Sequence, residues 1–187
     1  MAIAHPGNPT IDYKALRAVL HAPVANDKEL FRRIVNTPFR ELKVETAFLF
    51  LGIIVLLMVN KKTGEIDRVA LSNTELAKLT TDVSVIPFEE IKIPLGHHEN
   101  VIAQAIEKNE MQDTTDWKYL FEPGMSAEHA RINQANAGIA YSAAYPIKAR
   151  DGAAMIFSYY QYEGAIGKAQ HEFMRKYTEI VQDLLKW

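Results

Sequence analysis

Asp113-Thr114-Thr115-Asp116-Trp117 gathers hydrogen-bonding oxygens beside an indole, a combination suited to holding a flat polar ligand by stacking and edge contacts. The same residues also serve structure, because each aspartate can close an Asx turn or cap the next helical turn while Trp117 plugs the core. Both readings stay open on the sequence. His97-His98-Glu99 and His129 are residue types that zinc or iron takes. Adjacent histidines rarely converge on one ion, however, and His98-Glu99-Asn100 falls where a helix begins and polar caps are expected. Ser126 and His129 have the types of a hydrolytic nucleophile and base, yet no Gly-x-Ser-x-Gly elbow is present and Ser126 opens a helix as an N-cap would. Asp113 or Asp116 with a histidine, working as acid and base, would instead make a small cytoplasmic enzyme.

Composition narrows these options. The 187 residues contain no cysteine, which removes disulfides, thiolate metal sites, cysteine nucleophiles and thioether-linked chromophores. Lysine and arginine number 21 against 23 acids, a formal charge of −2 with neither sign gathered into a long run. Nucleic acid is therefore not expected as a partner, since phosphate binding draws on clustered cations. Hydrophobic residues at 48% and charged residues at 24% describe a chain that buries a core, at a length that one domain can serve. The first residues lack the basic-then-apolar layout of a secretory signal. The most apolar stretch, 47–59, falls well short of the roughly 20 residues a membrane helix needs. No membrane partner and a cytoplasmic location are the expectations.

The elements that must position these residues follow from periodicity. Residues 11–21 have the apolar spacing of an amphipathic helix that Pro23 ends. Asn26 or Asp27 can cap a second helix, whose Leu30, Phe31 and Ile34 share a face. Thr37-Pro38 reads as a cap followed by a first-turn proline, starting a third helix that runs to about Leu51 and stops at Gly52. Residues 53–59 are apolar without interruption and predict a central strand covered on both faces. A turn at 60–64 and a strand at 65–72 complete a hairpin. Residues 73–84 are polar and carry no predicted element. Residues 91–94 predict an edge strand, since Pro94 has no N–H to donate. A helix follows over about 99–108, closed by Asn109 in a left-handed conformation. Residues 111–121 read as a loop, and a helix runs from Ser126 to Gly138. Strands at 139–148 and 153–160 are joined through Asp151-Gly152. A long amphipathic helix begins at Ile166.

This order resembles a GAF domain over about residues 27–185. The pieces that carry the resemblance are Val55-Leu56-Leu57-Met58-Val59-Asn60 with the Thr63-Gly64-Glu65 turn, and Ile91-Lys92-Ile93-Pro94 leading into a helix. Glu107-Lys108-Asn109-Glu110-Met111-Gln112-Asp113 is similar to the family's helix end, tight turn and aspartate. Residues 138–147, with Ser142 and Pro146-Ile147, followed by Gly152, are similar to its last hairpin. Asn109 and Ala154-Met155 stand where the family often has glycine. The resemblance implies an α+β fold, with a central antiparallel sheet of five or six strands and the terminal helices on one face. It implies a ligand pocket on the other face, beneath residues 73–88 and 112–136. Residues 1–26 would form an N-terminal segment with its amphipathic helix, and 27–187 the sensor domain.

By the same resemblance the chain is expected to be a small-molecule-binding regulatory domain without catalysis of its own, and it either stands alone as a sensor or acts on an effector protein that is a separate chain. A ligand-free dimerisation or interaction module is the alternative. The family's methionine sulfoxide reductase branch depends on cysteines that this chain lacks. Its cyclic-nucleotide pattern is not matched either, because Asn60-Lys61 lies in the first hairpin and Gln170-His171-Glu172-Phe173 has another arrangement. The ligand stays unidentified and no cofactor is named. Candidate ligand contacts are Ser72, His98, Asn100, Asp113, Asp116, Trp117, His129, Asn133 and Tyr141. Strand alternation allows only one of Tyr141 and Ser142 to face a pocket, and tyrosines 145, 159, 160 and 162 add phenols to the last hairpin. A homodimer through the terminal helices is expected, because Phe173, Met174, Tyr177, Ile180, Val181, Leu184 and Leu185 make a stripe broader than one sheet face requires.

Overall fold

A computed structural model describes residues 9–160 and 166–186; Tyr162 lies outside them. Six antiparallel strands form one sheet in the order β3-β2-β1-β6-β5-β4. They are β1 (Leu51–Asn60), β2 (Glu65–Leu71), β3 (Ile93–Pro94), β4 (Gln112–Thr114), β5 (Tyr141–Ile147) and β6 (Ala153–Tyr159). The uninterrupted apolar run of β1 has its cause in this order: with β2 on one side and β6 on the other, its two faces each enter a core. Ile54 and Leu56 join one core, Ile53, Val55, Leu57 and Val59 the other.

The first core is closed by α1 (Tyr13–Leu20), α2 (Asp27–Glu41) and α8 (Lys168–Leu185). Asp12 and Asn26 cap α1 and α2 through their side-chain oxygens. Leu16 and Leu20 of α1 are buried with Phe173, Tyr177 and Val181 of α8, and Arg17 reaches Asp183 at 3.0 Å. The stripe on α8 is thus covered within one chain. The opposite face carries α4 (Glu75–Val83), α5 (Val101–Lys108), α6 (Lys118–Phe121) and α7 (Ala127–Ala137).

Four local expectations are corrected. Thr37-Pro38 starts no helix: α2 runs through Pro38 to Glu41, and a short α3 (Lys43–Phe48) follows. A proline inside a helix orphans the carbonyl four residues back, here that of Ile34. Tyr177 on α8 supplies the missing donor, its Oη giving a 2.6 Å hydrogen bond to Ile34 O. Gly52 does not end the helix, because Phe50 makes the turn into β1 at φ 58° and Gly52 lies inside the strand. Its lack of a side chain lets α4 approach, since a Cβ there would sit 2.6 Å from Leu76 Cδ1. Residues 73–84, given no element, form α4, whose cap is Thr74. Residues 111–121 are not a loop throughout, since they contain edge strand β4 and the turn of α6.

Candidate functional site

Between the sheet and its second cover lies a cavity of about 770 Å³, within the size range of small-molecule sites. Ile53 and Val55 of β1, Arg68 and Leu71 of β2, and Ile156 and Ser158 of β6 line it from the sheet. Thr80 of α4, Ile86, Phe88, Trp117, Leu120, Phe121 and Asn133 line it from the cover. Lys28 and Arg32 of α2 border it together with exposed Val85 and Glu89. The walls are mixed: apolar side chains make up somewhat more than half, and Thr81, Ser84, Thr80, Asn133, Ser158, Glu89, Lys28 and Arg32 stand among them beside Arg68.

Arg68 is the charged group inside, 3% exposed. Its place follows from alternation with Ile66, and a β-bulge comes directly after it: opposite Leu57 stands Arg68, but opposite Leu56 stands Ala70, so the extra residue, Val69, flips the alternation beyond it. Ile66 and Arg68, two residues apart before the bulge, share the cavity face, while Ala70, beyond it, joins the helix-side core. Nη1 of Arg68 donates to Ile91 O at 2.9 Å and Nη2 to Leu120 O at 3.1 Å. The Phe121 ring lies over the guanidinium at 4.7 Å. No carboxylate among the described residues pairs with it. Burial pushes its pKa down to about 9, which leaves it protonated at neutral pH.

A hydrogen-bond chain closes the opposite wall. Trp117, also 3% exposed, donates from Nε1 to Ser142 Oγ at 3.0 Å. Ser142 and Ser158 share a 2.7 Å hydrogen bond between their hydroxyls. The backbone N–H of Trp117 is held by Gln134 Oε1 at 2.9 Å, and its ring leans on Phe121 with centroids 5.3 Å apart. Trp117 therefore belongs to the core and lines the cavity at once. Asn133 is buried, its amide touching Met125 Sδ at 3.5 Å.

Of the nine candidate contacts, Trp117 and Asn133 line this cavity and the other seven do not. Tyr141 faces the helix-side core and donates to Asp113 Oδ2 at 2.9 Å, which leaves Ser142 as the member of that pair on the cavity side. Asp116 binds Arg131 at 2.8 Å and accepts from the Lys118 N–H. The hydrogen bond from Arg131 in the first place, with that N–H in support, holds its carboxyl below the usual range. Ser72 accepts from Ile54 N–H and extends the β1–β2 pairing. Asn100 caps α5 and ties it to Glu122 O. His98 is exposed near Glu107, and His129 bonds the Ser126 hydroxyl at 3.1 Å. Among the described residues no three histidine, aspartate or glutamate side chains gather closely enough to hold a metal ion. Reading by residue type missed Arg68, Thr80 and Ser158. The available signal was an arginine in step with Ile66 on a strand beside the most apolar one.

A six-stranded antiparallel sheet with terminal helices on one face and short helices over the other is the GAF fold. The GAF domain of an Acinetobacter phosphoenolpyruvate-protein phosphotransferase superposes with a TM-score of 0.60 at 8% identity, covering 92% of this chain and 89% of its own. The corresponding domain from Coxiella burnetii gives 0.58 at 10% identity, with 92% and 89% covered. Free methionine-R-sulfoxide reductase from Neisseria meningitidis, in complex with its substrate, gives 0.58 at 9% identity, with 93% and 86% covered. No family model matches the sequence, and no curated protein matches it. No described helix is long and apolar enough to cross a membrane.

Proposed function

We propose that this chain is a regulatory domain that senses a small molecule held in the Arg68–Trp117 cavity, without catalytic activity of its own. The observation that carries this reading is the cavity: apolar side chains, a buried cation and a few convergent polar groups are the usual composition of a binding site. The GAF neighbours support it at the level of fold. At 9% identity the Neisseria reductase is similar in fold alone, and this chain contains no cysteine. The receiver of the signal would be a separate effector protein. Pairing through the terminal helices would have to use their outer faces, since the apolar stripe of α8 is already covered by the chain's own α1 and sheet.

Native mass spectrometry of freshly purified protein tests the reading. A small mass that is retained in the gas phase and lost on unfolding is the expected result. A bare chain whose Tm no metabolite mixture raises would favour the ligand-free interaction module instead.

A further inference from the structure

Taking a guanidinium out of water costs several kcal/mol unless an opposite charge repays it. Arg68 is 3% exposed, and what it meets inside the protein is two backbone carbonyls and the face of Phe121. Those contacts use two of the five N–H donors that an arginine carries. They offset part of the desolvation and none of the net charge. The uncharged polar groups of the lining, Thr80, Thr81, Ser84, Asn133 and Ser158, do not supply it either. The acid on the lining is Glu89, which is exposed, and it is outnumbered there by Lys28 and Arg32.

We propose that the ligand of this cavity is a small organic monocarboxylate, its carboxylate on Arg68 and its apolar body between Trp117, Phe121 and Ile156. This rests on the cavity being a ligand site and adds the charge and shape of what fills it. One buried positive charge matches one negative charge, whereas the second charge of a phosphate dianion would have no buried partner among the described lining residues, Lys28 and Arg32 being exposed on the outer wall. The planar fork of arginine fits a carboxylate edge. Lys28 and Arg32, on the outer wall, favour the entry of anions over cations. Trp117, Phe121 and Ile156, the part of the wall on which the body is placed, favour an aliphatic or aromatic group over a sugar.

The test uses isovalerate, phenylacetate and indole-3-acetate, each beside its primary amide, at millimolar concentration. The readout is the indole N–H signal of Trp117 in nitrogen-15 NMR, assigned by comparison with Trp117→Phe. Carboxylates should shift that signal, and each amide should bind about ten- to a hundredfold more weakly, the size of a charge-assisted hydrogen bond. Arg68→Met should abolish the preference, so that acid and amide bind alike. Arg68→Lys, which keeps the charge without the fork, should retain part of it. If amides bind as well as acids to the unaltered protein, the cavity is a ligand site but the charge assignment is overturned. Phenyl phosphate binding more tightly than phenylacetate would overturn the monoanion in favour of a dianion. If neither series shifts Trp117, the proposal fails together with the reading of the cavity as a ligand site.

Discussion

Replacing Trp117 by alanine separates a lid from a core residue. The indole is 3% exposed, belongs to the cavity-side core with its ring against Phe121, and donates a 3.0 Å hydrogen bond to Ser142. Truncating a buried tryptophan costs about 3–5 kcal/mol. The lower end applies here, because the ring already borders a cavity that water can enter, so the change enlarges an open space instead of creating a closed void. Against a total stability of about 5–15 kcal/mol the variant folds, with a clear loss. Trp117→Phe keeps most of the packing and gives up the hydrogen bond. Since Ser142 still has Ser158 at 2.7 Å, its hydroxyl is not orphaned, and the bond itself is worth about 0.5–1.5 kcal/mol. Urea unfolding followed by far-ultraviolet circular dichroism measures both losses. A cost below about 1 kcal/mol for Trp117→Ala, with an unchanged slope, would mean that the indole is a mobile cover and that its assignment to the core is mistaken.

The Pro38–Tyr177 pair is open to a double-mutant cycle. Tyr177→Phe should cost about 1–3 kcal/mol by orphaning the buried Ile34 carbonyl. It should cost measurably less in a Pro38→Ala background, where residue 38 regains an N–H that can reach the same oxygen; equal costs in both backgrounds would refute the substitution of one donor for the other. Asp116→Asn tests the depressed carboxyl beside Arg131. A lowered folded-state pKa adds stability above the unfolded value near 3.9 and loses it as pH falls through the folded one. The variant's urea midpoint should therefore lie below the parent's at pH 7 and converge with it in acid; a gap that widens in acid would contradict the assignment.

Most of the architecture was legible because it rests on strong local signals. The unbroken apolar run of β1 required a central strand, Asp151-Gly152 marked the last hairpin, and Asn100, Ser126 and Asn109 stood at the helix ends they cap. What failed was local chemistry decided by tertiary partners. Pro38 looks like a helix start until Tyr177 is seen satisfying Ile34. Gly52 looks like a stop until Leu76 is seen pressed against it. The site was less legible than the fold. Asp113, Asp116, Asn100 and Ser72 are polar residues whose oxygens are consumed by neighbouring backbone, tyrosine or arginine groups. Residue type could not distinguish those structural oxygens from ligand contacts. Arg68 escaped notice although it alternates in step with Ile66, because a charged side chain is not expected inside; what alternation alone describes incorrectly is Ala70, which the extra residue Val69 sends to the other core.

The element that joins the two halves of this molecule is α2. Its first turns bring Lys28 and Arg32 to the outer wall of the cavity. Within the next turn, Ile34 and Val35 enter the opposite core, where Tyr177 of α8 bonds the Ile34 carbonyl and α1 packs alongside. Arg150 from the last hairpin holds the start of the same helix through Asp27 at 2.7 Å. A ligand biases a partner only if it favours one of two arrangements of some shared element. Among the helices on the Arg68-distal side of the sheet, α2 is the one that contributes side chains to the cavity lining. An anion drawn toward Lys28 and Arg32 would act on a helix whose other face is bonded to the terminal helix. That contact path runs beside the sheet, whose central strand is packed on both faces.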